Sequence, residues 1–352
     1  MKLFNLIKNV IPSKTTLAIL SYALVDKGDL YATDLENYLC LTNIGIKNGF
    51  HVLDLLKHDI DQPQDAAEKS EYPMFPKPKG NVEEFKLPVQ VFHDQFEYYA
   101  SGDCTRRVLM HVFFGKDGGV CATDGSIMQL EDKCIKVPDS FILNIRSYLI
   151  VRNIIKEFGI DKNIKCRLVY KEAEAEEIVK DKKGEPVLVN GKPKKKKVKV
   201  FEPEYIFFDF PRNAGYLACK LVEGTYPNYR QIIPKNPLHE TIDLTSGKHD
   251  FQKTLRGAVE IAHNKTRQGI FEKGKLIIRN GGKFKKPVVM DAIKLSPNTV
   301  GINLAYLKGI FDMLLKDKQK VRILPSKNPL SAIMLENEKR SILLMPLRLI
   351  NQ

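Results

Sequence analysis

GDLYATD (28–34), GGVCATD (118–124) and GKLIIRN (274–280) share one form: a glycine opens a run of mixed apolar and polar residues that closes in a short polar corner. Ala-Thr-Asp itself recurs at 32–34 and 122–124. Alternation with a period of two marks a half-buried strand. A form that recurs along a chain points to a repeated structural unit.

The flanks of each stretch support that reading. Apolar residues at helical spacing precede it (Leu3, Ile7, Val10 and Ile11; Val89, Phe92, Phe96 and Tyr99; Phe251, Leu255, Ala258 and Ala262) and follow it (Phe50, Leu53 and Leu56; Ile145, Leu149, Arg152 and Ile155; Leu304, Leu307, Phe311 and Leu314). The periodicity predicts helices over 2–11, 47–58, 89–100, 144–158, 248–263 and 304–316. Short strands such as VLMHVFF (108–114) and KCRLVYK (165–171) lie between them. Helix, strands, helix, strands, written three times, predicts an α+β repeat protein with antiparallel sheets and helices on one face.

Boundaries fall in MFPKPKG (74–80) and IIPKNPLHE (232–240), which are broken by proline. They divide the chain into 1–80, 81–234 and 235–352. The first part is short: after the helix expected to end near His58, residues 59–84 hold no alternating apolar run of strand length. The middle part is long because of a charged stretch at about 172–204, which reads as an inserted hairpin turned at Asn190-Gly191. Its PKKKKVK segment fits both a nuclear-localisation pattern and a solvated Lys-rich strand alternating with Val198 and Val200.

The 352 residues carry 56 Lys and Arg against 42 Asp and Glu, a formal charge of +14 that favours polyanionic partners. The six cysteines form no C-x-x-C pair and the seven histidines are scattered singly, so no metal site is written in the sequence. Leu17 to Val25 is apolar but too short to span a bilayer. Phosphate-loop, dinucleotide, nucleophile-elbow and H-E-x-x-H motifs are absent. Asp34, Asp124 and Asp209 could in principle assemble a two-metal site, yet Asp34 and Asp124 fall at equivalent repeat corners, where a carboxylate serves as a turn cap. The positive feature is a set of basic helical faces: Lys2, Lys8, Lys47, Lys57, Arg146, Lys156, Lys253, Arg256 and Lys308 lie opposite the apolar stripes, suited to phosphates rather than bases. The 89–100 segment, with Asp94 and Glu97, runs against this trend.

Four segments resemble the bacterial DNA polymerase III β sliding clamps, in that family's order: TTLAILSYALVDKGDLYATDLE at the N-terminal end, VCATDGSIM (120–128), LVEGTYPNYRQIIP (221–234) and MPLRL (345–349). The resemblance implies three clamp-type domains with sheets outside and paired helices inside, the first domain shortened. It also implies head-to-tail dimerisation into a ring on double-stranded DNA without sequence preference, no catalytic residues, no cofactor or metal, and a cytoplasmic place with the replicating DNA. A pocket for short peptides of the polymerase and clamp loader would be formed by Leu109, Thr123, Gly125, Met128, Pro227, Ile232, Asn303, Tyr306, Ser331, Met345, Pro346, Leu347, Arg348 and Leu349. Lys14, Arg106 and Arg107 match DNA-contacting positions, and Arg146, Lys156, Lys253 and Arg256 join them from the helical faces. Ile127 and Gln231 depart from the family, which usually has arginines there. A sequence-neutral DNA-binding or architectural protein on the same fold, with neither ring nor pocket, remains open at this level.

Overall fold

The computed structural model describes residues 3–54, 59–60, 68–178, 186, 188–189, 192–193, 195–234, 240–242, 251–262, 267–278, 287–292, 298–316, 321–324, 328, 330–338 and 340–349. The chain divides into two compact units, one from 1–94, 113–118 and 133–223, the other from 95–112, 119–132 and 224–352.

The first unit is organised by an eight-stranded sheet in the order Gly49–His51, Ala23–Asp26, Asp29–Thr33, Asn37–Leu41, Gly215–Lys220, Lys195–Asp209, Asn163–Ile178 and Val82–Pro88. All its paired neighbours run antiparallel. The first hairpin turns on Lys27 and Gly28, both at positive φ (53° and 86°), the backbone of a tight turn matched to strand twist. Strands distant in sequence meet where Asn37–Leu41 pairs with Gly215–Lys220. Gly215 permits this, because a Cβ there would stand 2.0 Å from the Cys40 carbonyl oxygen.

Helices α1 (Leu3–Val10) and α3 (Ile145–Phe158) pack together in this unit. Asn144 caps α3 by accepting from the Arg146 N–H at 2.8 Å, and Gly159 ends it at φ 62°. Tyr148 is buried against Phe92 and donates its hydroxyl to the carbonyls of Val91 (2.8 Å) and Asp94 (2.6 Å). That interaction corrects the helix expected over 89–100: only α2 (Gln90–His93) forms, followed by a single tight turn at Phe96–Tyr98. The chain leaves helical geometry at Asp94, whose ψ is 152°, and Tyr148 bonds carbonyls at that break.

A second expectation also fails. Over the described residues of the helix expected at 47–58, whose residues 55–58 lie outside them, Gly49–His51 is instead an edge strand on Ala23–Val25, with Leu24 opposite Phe50. Gly49 sits at φ 136°, outside helical space, and Phe50 buries its ring against Tyr22 and Tyr72. Pairing with an open sheet edge outweighed local periodicity. Among the described residues between Ile60 and Val82 there is no strand.

That segment is more than a linker. Tyr72 buries its ring and directs its hydroxyl at the carbonyls of Tyr22 (3.1 Å) and Tyr31 (3.0 Å), while Phe75 packs edge-on against Tyr31 and Tyr38. The strap therefore covers aromatic side chains on one sheet face. Tyr72-Pro73-Met74-Phe75 is echoed by Tyr226-Pro227-Asn228-Tyr229 in the other unit, where Tyr226 and Tyr229 are buried in turn.

The charged insertion continues two sheet strands. Asn163–Ile178 and Lys195–Asp209 are paired from Lys165↔Asp209 to Ile178↔Lys195, with a bulge that shifts the register between Val169 and Tyr170, and they run beyond the ends of both neighbouring strands. Glu174 pairs with Lys197 at 2.9 Å, and Glu172 pairs with Lys199. Asn190-Gly191 lies outside the described residues, but Val189 and Lys192 pair on either side of it.

In the second unit, Val120–Thr123, Ile127–Glu131, Ser341–Leu344, Ile333–Glu336, Val321–Leu324 and Glu240–Ile242 run in that order within one antiparallel sheet. A four-stranded sheet orders Val288–Asp291, Lys275–Ile278, Gln268–Glu272 and Val300–Asn303. Its central hairpin turns at Lys273 and Gly274, again both at positive φ (48° and 75°). Helices α4 (Phe251–Ile261) and α5 (Leu304–Lys316) pack against one another, with the Phe251 and Phe311 rings edge to face at 5.2 Å. No helix among the described residues is long and apolar enough to cross a membrane.

Candidate partner-binding cleft and cation positions

The Thr-Asp corners are built alike. Thr33 and Thr123 each accept from the N–H two residues on, Leu35 (2.9 Å) and Gly125 (3.0 Å). Asp34 Oδ1 accepts from the N–H groups of Glu36 (3.0 Å) and Asn37 (2.6 Å), and Asp124 Oδ1 from those of Ser126 (2.7 Å) and Ile127 (2.9 Å). These carboxylates are turn caps. Among the described residues no cluster of acidic, His or Cys side chains could hold a metal ion.

In the second unit the corner forms one wall of a cleft of about 210 Å³. Thr123, Gly125, Ile127 and Met128 come from the corner and its second strand, Leu109 from the preceding turn, Tyr226 to Tyr229 and Ile232 from the connecting segment, and Leu343 and Met345 from the C-terminal strand and its continuation. The C-terminal stretch is held by two backbone bonds: Met345 N–H to the Ser126 carbonyl and Leu347 N–H to the Gly301 carbonyl, both 2.8 Å. Tyr229 is set by Arg230, whose guanidinium lies 5.0 Å over its ring and pairs with Asp132 at 2.7 Å. Gly119 makes room for Tyr229, because a Cβ there would meet its hydroxyl at 2.3 Å. Burial, with Cys121 adding, pushes the Tyr226 hydroxyl well above its ordinary pKa.

The lining is apolar with a few polar groups at its edge, as suits a site that anchors side chains of a short peptide. Of the residues expected there, Leu109, Thr123, Gly125, Met128, Pro227, Ile232 and Met345 come together. Asn303, Ser331, Pro346, Leu347, Arg348 and Leu349 do not line the cleft. Asn303 instead caps α5 through the Ala305 N–H (3.0 Å). Tyr306 lines a neighbouring cleft and donates its hydroxyl to Asp124 Oδ2 at 2.8 Å. Burial, then its bond to Asp124, raises the Tyr306 pKa.

In comparisons with solved structures, the DNA polymerase III β subunit of Thermotoga maritima matches with a TM-score of 0.71 at 15% identity, covering 99% of this chain and 97% of that one. The chain has the sliding-clamp fold. The sliding clamp of Bartonella birtlesii, solved with griselimycin bound, gives a TM-score of 0.69 at 18% identity over 98% of this chain and 97% of that one. That of Pseudomonas aeruginosa, also with griselimycin bound, gives 0.65 at 16% identity over 98% and 96%. No protein-family model and no curated protein matches the sequence.

Within this clamp fold, sequence reading missed Tyr226, Asn228, Tyr229 and Leu343 as lining residues. The repeated Tyr-Pro-x-aromatic pattern was a usable signal for the first three. Leu343 reads only as core.

The expected DNA-contacting cations are all exposed. In the first unit these are Lys14, Arg146 and Lys156. Arg146 already has protein partners: its Nε reaches Asp34 Oδ2 at 3.1 Å and it donates to the Val10 carbonyl at 3.0 Å, tying α3 to both the corner and α1. In the second unit, Arg106 donates to the Asp124 carbonyl at 3.1 Å. Arg107 stands beside it on the same exposed turn, and Lys253 and Arg256 lie on α4. Arg256 comes within 3.8 Å of Asp312 on α5. Burial works to raise the Asp312 pKa, but hydrogen bonds from Lys308 and Gln252 and the charges of Lys308 and Arg256 hold it below its ordinary value.

Proposed function

We propose that this chain is a DNA sliding clamp: a non-catalytic processivity factor that encircles duplex DNA and holds a polymerase to it. The fold supports this over nearly the whole length of both chains compared. The observation that carries it furthest is the cleft where Met345 and Leu343 meet the Tyr226–Ile232 segment and the Thr123–Met128 corner. That cleft takes short peptides, a Gln followed by spaced Leu and Phe, from the polymerase and the clamp loader.

Three domains, 1–80, 81–234 and 235–352, make up each subunit, and two subunits close head to tail. The protein works in the cytoplasm with the replicating DNA. Lys14, Arg106, Arg107, Arg146, Lys156, Lys253 and Arg256 face phosphates without reading bases.

Loading onto circular DNA followed by a high-salt wash tests the reading. A ring stays on the circle and leaves after linearisation, since topological linkage survives salt and phosphate contacts do not. Loss at high salt from circular and linear DNA alike would mean a sequence-neutral DNA-binding protein without ring function.

A further inference from the structure

The paired strands Asn163–Ile178 and Lys195–Asp209 have further neighbours only near their base. Val82–Pro88 pairs with residues 163–169 and Gly215–Lys220 with residues 205–209, so among the described residues no third strand flanks the ribbon over 171–178 and 195–203. Half of the backbone N–H and C=O groups on each strand therefore point away from the ribbon along an open edge.

The two edges differ in charge. Glu172, Glu174, Glu176 and Glu177 occupy one strand, and Lys195, Lys196, Lys197 and Lys199 the other. Cross-strand partners share a face, which places Lys197, Lys199 and Phe201 with Glu172 and Glu174. Glu174 and Glu172 already pair with Lys197 and Lys199, but those lysines remain 76% and 78% exposed and keep N–H donors for a second carboxylate. Phe201 stands beside them with 56% of its surface exposed. Lysine along an open edge repels another basic strand and admits an acidic one. A phosphate backbone is poorly served, because six glutamates stand against five lysines over 171–178 and 195–204 and glutamates share the face of Lys197 and Lys199.

We infer that the 195–203 edge takes up an extended acidic segment of a partner protein as an added strand, its carboxylates opposite the lysines and an apolar side chain against Phe201. None of these residues belongs to the peptide cleft or to the cations proposed to face DNA. In such an addition the main-chain bonds supply affinity and alternate side chains supply selectivity. Adjacent strands lie about 4.8 Å apart, which brings a carboxylate within reach of the lysine opposite it.

Calorimetry and backbone amide exchange on the full chain test this with two short synthetic peptides, one alternating Glu with Val and its counterpart with Lys in place of Glu. The acidic peptide should bind about tenfold more tightly than the basic one and slow exchange at amides within 195–203. N-methylation of alternate peptide amides should abolish binding in one phase of the alternation and spare it in the other, since only one edge of an added strand bonds the ribbon. Lys197→Gln with Lys199→Gln should remove the preference for the acidic peptide. Phe201→Ser should weaken that peptide several-fold while the preference stays. Equal affinity of the native protein for the two peptides, or binding that leaves exchange over 195–203 unchanged, would overturn the inference. So would a short DNA duplex that slows these amides where the acidic peptide does not, which would make the ribbon a phosphate contact.

Discussion

Tyr306 donates its hydroxyl to Asp124 Oδ2 at 2.8 Å, so the first turn of α5 is fastened to a corner more than half the chain away in sequence. In the other unit Asp34 uses the equivalent oxygen for Arg146, near the start of α3, at 3.1 Å. One carboxylate oxygen caps the local turn and the other reaches a helix. The repeat therefore extends beyond strand shape to the connection between hairpin and helix, although the partner residue differs.

Tyr306→Phe should remove only the outer bond and destabilise the protein by about 1 kcal/mol. Asp124→Ala should cost more, because the Ser126 and Ile127 N–H groups also lose their acceptor. Urea unfolding monitored by circular dichroism measures both. Equal effects of the two substitutions would contradict the two-oxygen division of labour.

Arg146→Lys should behave as a stability mutation. One ammonium cannot reach both Asp34 and the Val10 carbonyl with the geometry of a guanidinium. The group is half-exposed, so a loss of about 1 kcal/mol or less is expected. In contrast, Lys156→Gln should leave the melting temperature unchanged and lower the slope of log affinity for DNA against log salt by about one. An unchanged slope would remove Lys156 from the DNA-facing set.

Deleting Met345 to Gln352 should abolish peptide binding while the strands through Leu344 keep the fold. Gly119→Ala should weaken binding with the C-terminal stretch intact, because its methyl group would displace Tyr229. Undiminished peptide affinity in either protein, measured by calorimetry, would argue against the cleft as drawn.

His111 supplies a pH dependence. Burial, with the nearby Arg107 charge adding, holds its imidazole below the ordinary value of 6.5. Above that value folded and unfolded states are both neutral and the residue contributes no slope. As pH falls through 6.5 the unfolded chain takes up the proton first, so stability declines until the folded-state pKa is reached, by at most about 1.4 kcal/mol per pH unit. His111→Gln should flatten the stability profile in that window; an unaltered slope would assign it to other groups.

A shortened first domain bears on closure of the proposed ring. Between Ile60 and Val82 the described residues offer no strand to a neighbouring subunit. A homodimer that dissociates on dilution is expected, and sedimentation velocity from micromolar to nanomolar protein measures it. A dimer that persists at nanomolar concentration would show that other edges seal it tightly.

Much of this protein was readable where the physical signal is local. Asp34 and Asp124 read as turn caps because a carboxylate there bonds N–H groups two or three residues away, and the glycines that open the repeated strands, Gly28, Gly118 and Gly274, all sit at positive φ. Helices α1, α3, α4 and α5 followed from apolar spacing, since each buries one stripe.

Only the tertiary structure decided the rest. Phe50 joined a strand rather than a helix because an open sheet edge and the Tyr72 ring were available to it. The 89–100 helix stopped at His93, where Asp94 turns extended and the carbonyls of Val91 and Asp94 meet the hydroxyl of Tyr148 from a distant helix. Arg146 read as one of the basic residues of a helical face, and only the fold gave it Asp34 and the Val10 carbonyl as protein partners as well. Ile127 came to line two clefts through segments far along the chain. Turns and caps depend on neighbours fixed by covalent sequence; partners across the sheet exist only after the chain has folded, and no spacing in the sequence specifies them.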